Sequence, residues 1–177
     1  KSYNYIGWVQ KKHLAIGSRD DVLDYASDDN FLVITGDKVR TTYNPEAPEV
    51  SEVQLDMGVR LPLDRPEKLK NNLYGQNPYL SHMVKLPVRQ NDGSLTFKHA
   101  LISRNKDVHV GYLPFTEENI ITQAFKFLGE RYGWGHRYNG RDCTGFVSEV
   151  YKSFGLLLPR NSGDQGRSAI GINTVFE

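Results

Sequence analysis

The pattern of apolar residues changes character at Pro114, and that change limits what the chain can fold into. Before it, short runs alternate in the manner of strands and are separated by turn signals. After it, apolar residues recur at helical spacing. The order, strands first and helices second, predicts an α+β fold.

In the first part, Phe31-Leu32-Val33-Ile34-Thr35 reads as a strand closed by Gly36-Asp37, and Lys38 to Tyr43 alternates around Val39 and Thr41. Pro45 and Pro48 mark a loop. Val59-Arg60-Leu61 and Met83-Val84-Lys85-Leu86 are further strands. The prolines that follow them, Pro62 and Pro87, predict edge or bulged positions. Asn91-Asp92-Gly93 joins Met83–Arg89 to Ser94–Ile102 as a hairpin, because Asp-Gly accepts positive φ cheaply. So many short strands suggest a small barrel or sandwich. The polar, turn-rich stretch Leu63 to Tyr79 reads as a long loop, either a binding element or a plain surface excursion.

In the second part, Thr116 caps a helix with Glu117 and Glu118 in its first turn, and Ile121, Ala124, Phe125 and Leu128 form its apolar stripe. A glycine-rich loop runs from Gly133 to Gly140. Asp142 then caps a second helix, with Cys143, Val147, Val150 and Phe154 on one stripe and Gly155 as its stop. The chain's only cysteine thus sits where unpaired N–H groups and the positive end of the helix dipole favour a thiolate. On spacing alone Cys143 is equally an inert core residue. Gly133, Gly135 and Gly140 favour the reactive reading, because they let the backbone pass close to something.

The chain has 177 residues, enough for one large domain or two small ones. A formal net charge of +1 gives no reason to expect a nucleic-acid partner. No apolar stretch approaches the ~18 residues of a membrane span, no secretion signal opens the chain, and no residue cluster has metal-ligand spacing.

Three segments together resemble the NlpC family, papain-like cysteine peptidases of the bacterial cell wall. They are Tyr132-Gly133-Trp134-Gly135, the run Gly140-Arg141-Asp142-Cys143-Thr144-Gly145-Phe146-Val147, and Leu158-Pro159-Arg160-Asn161-Ser162-Gly163-Asp164-Gln165. The family pattern has a Tyr-x-Trp-Gly-Gly loop, Asp-Cys-Ser-Gly heading a helix, and Leu-Pro-Arg-x-Ser-x-x-Gln afterwards. His136 departs from it at the loop's second glycine, and Thr144 stands in place of the serine. The first part is similar to bacterial Src-homology barrels, on Gly7-Trp8-Val9, the Ile34 to Arg40 hairpin and the strand count. The expected domains are a barrel tail or extension at 1–30, a Src-homology-like β-barrel at 31–113, and the helical N-terminal half of a papain-like peptidase domain at 114–177.

The resemblance implies Cys143 as nucleophile and Tyr132 as oxyanion donor beside the Cys143 backbone N–H. It implies that Asp142 and Thr144 hold a substrate's free amine. Trp134 is a candidate for substrate contact or for core packing, and Arg160 and Ser162 tie the later segment back to the loop. The implied substrate is a peptidoglycan stem peptide, cut between D-glutamate and diaminopimelate, outside the cytoplasm and without a cofactor. The Leu63–Tyr79 loop is a candidate contact for that peptide. The family's catalytic histidine follows the cysteine helix, whereas all five histidines here precede Cys143. The expectation is therefore an incomplete domain whose imidazole comes from a missing segment or a second chain; the competing alternative is His136 as a substitute base. Two alternatives are a wall-peptide binding module with an inert remainder and a papain-like acyltransferase or amidase.

Overall fold

The structure, a computed structural model, describes residues 6–65 and 72–167. It is a mixed α+β fold that divides into two compact units, one spanning Trp8–Gly111 and the other starting at Tyr112.

Among the described residues of the first unit, helix α1 (Arg19–Ser27) precedes seven strands: β1 (Phe31–Ile34), β2 (Lys38–Arg40), β3 (Gln54–Asp56), β4 (Arg60–Asp64), β5 (Ser81–Arg89), β6 (Leu95–Ser103) and β7 (Val108–Val110). Five form an antiparallel sheet in the order β6-β5-β4-β1-β7, and β2 pairs with β3. Among the described residues the end strands β6 and β7 do not pair, so the sheet is not a closed barrel. One apolar core joins both sheets, with Leu32, Ile34, Val39, Leu55, Leu61, Val84 and Ile102 buried in it.

The hairpin predicted at Asn91-Asp92-Gly93 links β5 and β6 in the register Arg89↔Leu95. Gly93 takes φ +96°, and the Asp92 carboxylate accepts from the Ser94 N–H at 2.9 Å. Pro62, expected at an edge, lies inside β4 between β1 and β5. The reason is register. Leu63 donates its N–H to Asn30 on the β1 side, so Pro62 turns its nitrogen to the other flank, where pairing with β5 starts only at Leu63. Pro87 lies within β5, beyond the two residues that β4 pairs, and is an edge position locally.

The predicted loop from Leu63 to Tyr79 is partly strand. Leu63 and Asp64 end β4, and a tight turn bridges Leu73 to Gln76, with Leu73 buried against Met83 and Leu101. Its middle, 66–71, lies outside the described residues. Helix α1, β3 and β7 are not anticipated by the pattern. Helix α1 carries a local signal nonetheless: Ser18 and Asp21 form a reciprocal capping box.

The second unit contains α2 (Glu117–Phe125), α3 (Cys143–Lys152) and the short α4 (Ser162–Arg167). Thr116 caps α2 by accepting from the Asn119 N–H, as expected. Its predicted apolar stripe does not form the buried face. Ile121, Phe125 and Leu128 are exposed, and the buried residues are Gln123 and Phe127. Gln123 donates to the Ser153 hydroxyl at 3.2 Å, which satisfies its amide out of water. Phe127 meets Phe146 of α3 edge-on at 5.5 Å, and Phe115 meets Phe154 at 5.4 Å. Among the described residues no helix is long and apolar enough to cross a membrane.

Candidate active site

The Gly133–Gly140 loop folds on itself. Tyr132 bridges Arg141, and the Gly133 N–H donates to the Arg141 carbonyl at 2.9 Å. A Cβ at Gly133 would overlap the Arg137 carbonyl oxygen, and one at Gly140 would overlap that of Arg131. The close approach these glycines permit is therefore to the loop's own backbone. Gly135 takes positive φ, and so do His136, Tyr138 and Asn139, an unusual density for residues with a Cβ.

This fold brings Tyr132 beside the head of α3. Asp142 caps the helix, its Oδ1 accepting from the Gly145 N–H at 2.8 Å and its Oδ2 from the Gly135 N–H at 2.9 Å. Cys143, the first residue of α3, is exposed. Two grooves meet at Tyr132, Asp142 and Cys143. One, about 540 Å³, is walled by Ala124, Phe125, Phe127, Leu128 and Phe146, which explains the outward stripe of α2. The other, about 640 Å³, is more polar and is walled by Trp134, His136, Thr144, Ser148, Lys152 and Arg160. Tyr132 is 61% exposed and Trp134 73%. Trp134 therefore does not pack in a core.

The buried face of α3 is largely polar: Thr144, Gly145, Ser148, Glu149 and Val150. It buries polarity because the flanking segments supply partners. Arg160 donates to Asp142 Oδ2 at 2.6 Å and to Thr144 Oγ1 at 2.8 Å, while Gln165 reaches the Ser148 hydroxyl at 3.0 Å and the Pro159 carbonyl at 2.7 Å. Arg160, expected to tie the later segment back to the loop, ties it chiefly to the helix start, and reaches the loop only at His136 Nδ1, 3.3 Å away. Ser162 begins α4. Beneath, Arg141 pairs with Glu149 at 2.7 Å, binds Glu130, and lies over the Phe127 ring at 4.9 Å.

Burial works to raise the Asp142 pKa. The Arg160 hydrogen bond, the Gly145 and Gly135 amides and the Arg160 charge outweigh it and hold the carboxyl well below its ordinary range. With Thr144 Oγ1 also donating at 3.3 Å, four donors occupy this carboxylate. A substrate amine would have to share it. The ring nitrogens of His136 lie 3.3 Å from Glu149 Oε1 and 3.3 Å from Arg160 Nη2, so both are engaged.

Sequence reasoning does not find Glu149 or the Arg141 ion pair. A signal exists: Asp142, Gly145 and Glu149 share one helix face at spacings of three and four, a small-polar face against the loop. Among the described residues no cluster of histidine, cysteine and carboxylates could hold a metal ion.

The site is thus an exposed cysteine heading a helix that aspartate caps, beside a tyrosine-bearing loop. Residues 129–175 match the NlpC/P60 family, and the chain is homologous to peptidases of that family. It is 28% identical over 172 residues to a gamma-D-glutamyl-L-lysine dipeptidyl-peptidase of Bacillus cereus, covering 96% of this chain and 45% of that protein. It is 32% identical over 99 residues to the protein of that name in Bacillus subtilis, covering 52% of this chain and 33% of that one. The chain thus spans less than half the length of either relative. An NlpC/P60 endopeptidase structure from Photobacterium damselae subsp. piscicida superposes with a TM-score of 0.70 at 21% identity, over 90% of this chain and 30% of that one. That likeness concerns the fold.

Proposed function

We propose that this protein hydrolyses a γ-D-glutamyl–diamino-acid bond of peptidoglycan stem peptides by cysteine catalysis, outside the cytoplasm. The observation that carries the reading is the exposed Cys143 thiol on the first turn of α3, where two grooves meet. The names of the Bacillus relatives support the bond class.

In the proposed reaction the Cys143 thiolate attacks the scissile carbonyl carbon. The Cys143 backbone N–H and the Tyr132 hydroxyl stabilise the oxyanion. The C–N bond then breaks as an imidazolium protonates the leaving amine, and water hydrolyses the thioester. His136 has both nitrogens engaged, so we assign the imidazole to another histidine, carried by a further segment or a second chain. The substrate's free N-terminal amine meets Thr144 and shares Asp142 with Arg160, and Trp134 flanks the polar groove. We read residues 114–177 as the peptidase part. The strands of 31–113 we read as a bacterial Src-homology-like domain, supported by their short antiparallel pairing around one core.

The test is cleavage of a synthetic L-alanyl-γ-D-glutamyl-L-lysine peptide, followed by mass spectrometry, by the protein supplied with the segment or second chain that carries the imidazole, with Cys143→Ala alongside. Release of the diamino acid by the unaltered protein, lost by more than about 10³-fold in the variant, is expected for a nucleophile. Equal cleavage by both would overturn it.

A further inference from the structure

We propose that His136 is a positioning residue of this site. Its neutral Nε2–H ring joins Arg160, and through Arg160 the Asp142 and Thr144 side chains, to the buried Glu149–Arg141 pair, and protonation of the ring releases that clasp. The inference rests on the peptidase reading where it assigns Asp142 and Thr144 to the substrate.

The backbone gives the first reason. His136 sits at φ +61°, where a residue with a Cβ is strained and glycine is not. The ring's contacts offset that strain. Gly145 provides the room: a Cβ there would lie 2.5 Å from His136 Cε1, so the ring rests directly on the first turn of α3.

The partners assign the protonation state. A guanidinium only donates, so His136 Nδ1, 3.3 Å from Arg160 Nη2, must accept. The Glu149 carboxylate, already paired with Arg141, accepts, so Nε2 carries the proton toward Oε1 at 3.3 Å. Only the neutral Nε2–H tautomer satisfies both contacts at once. The same Arg160 guanidinium holds Asp142 and Thr144. One ring therefore connects the candidate amine-binding pair to the buried ion pair that Glu149 of α3 makes with Arg141.

The charged groups around the ring decide what a second proton does. In direct reach are Glu149 of α3 and Arg160 of the segment after it; the same groove is also lined by the titratable Tyr132, Asp142, Cys143 and Lys152. A protonated Nδ1 would set donor against donor and cation against cation at 3.3 Å from Arg160. Glu149 would retain the ring, so Arg160 is the group that moves. Asp142 and Thr144 then lose their common donor.

The test measures the ring, the loop and the substrate in the full-length chain. Nitrogen-15 spectra of His136 are expected to show a bare Nδ1 and a protonated Nε2 at neutral pH. A proton on Nδ1 there would overturn the proposal. With the tripeptide above, KM is expected to rise as the ring protonates while kcat changes less. In His136→Gly, which also relieves the backbone, KM is expected to be about tenfold higher and free of that acid limb, the scale of one hydrogen bond to a charged partner. In His136→Gln the amide can accept from Arg160 and donate to Glu149, so most of the lost affinity returns without the pH dependence. An acid limb unchanged in both variants would overturn the proposal. If the chain cleaves nothing even when supplied with the segment or second chain that carries the imidazole, the peptidase reading fails separately. Hydrogen exchange of the Gly135 amide, which donates to Asp142, then decides this inference. Faster exchange in acid and in His136→Gly supports it, and equal protection refutes it.

Discussion

Removing the Arg141 guanidinium tests the polar interior of the second unit most directly. Arg141 and Glu149 are each 5% exposed, and Arg141 Nε donates to Glu149 Oε2 at 2.7 Å. Arg141→Met keeps most of the apolar stem but strands a buried carboxylate. Breaking one side of a buried pair costs about 3–5 kcal/mol. His136 remains within 3.3 Å of Glu149, which places the expected loss at the lower end, about 3 kcal/mol. Loss of the cation over Phe127 adds roughly 0.5 kcal/mol. The assay is urea unfolding followed by Trp134 fluorescence in a Trp8→Phe background, so that one indole reports on this unit. With a slope of about 1.5 kcal/mol/M, the midpoint is expected to fall by about 2 M. Adding Glu149→Leu to Arg141→Met should recover part of the loss, because the orphaned charge is gone. A fall under about 0.5 M, or a double variant no better than the single, would refute a buried pair held by mutual compensation.

Three further outcomes are expected. Gly133→Ala and Gly140→Ala should each lower the melting temperature severely, since the new methyl meets backbone carbonyls, whereas Gly135→Ala, in open space at φ +63°, should cost only about 1 kcal/mol; equal melting of all three would refute the close-approach account. Burial pushes Tyr25 up to about 12, against a smaller opposing effect of Arg60. Because the folded state keeps this proton longer, stability is full below about pH 10 and falls from there towards pH 12, a step that Tyr25→Phe should remove from an alkaline unfolding profile. Asp142, held below its ordinary range, stabilises the fold above about pH 4 and loses that contribution as pH falls further, so Asp142→Asn should flatten the acid limb of the unfolding curve; an unchanged limb would count against the Arg160 clasp.

What the sequence determined by itself was local. The caps at Thr116 and Asp142, the Asn91-Asp92-Gly93 turn and the cysteine at a helix head each depend on residues within four positions of one another, so their chemistry can be read along the chain. The three motif segments, local for the same reason, fall within the stretch that matches the NlpC/P60 family. Even α1, which the apolar pattern does not reveal, carries its capping box in plain view. Tertiary structure alone decided which faces are buried and which charges meet. The α2 stripe turns to a groove while Gln123 goes inside, Pro62 sits in a middle strand because of its register, and α3 buries polarity because Arg160 and Gln165 return to it. The link from Glu130 through Arg141, Glu149 and His136 to Arg160 joins residues up to thirty positions apart. Burial and ion pairing follow distance in space, and no periodicity along the chain encodes which distant partner arrives.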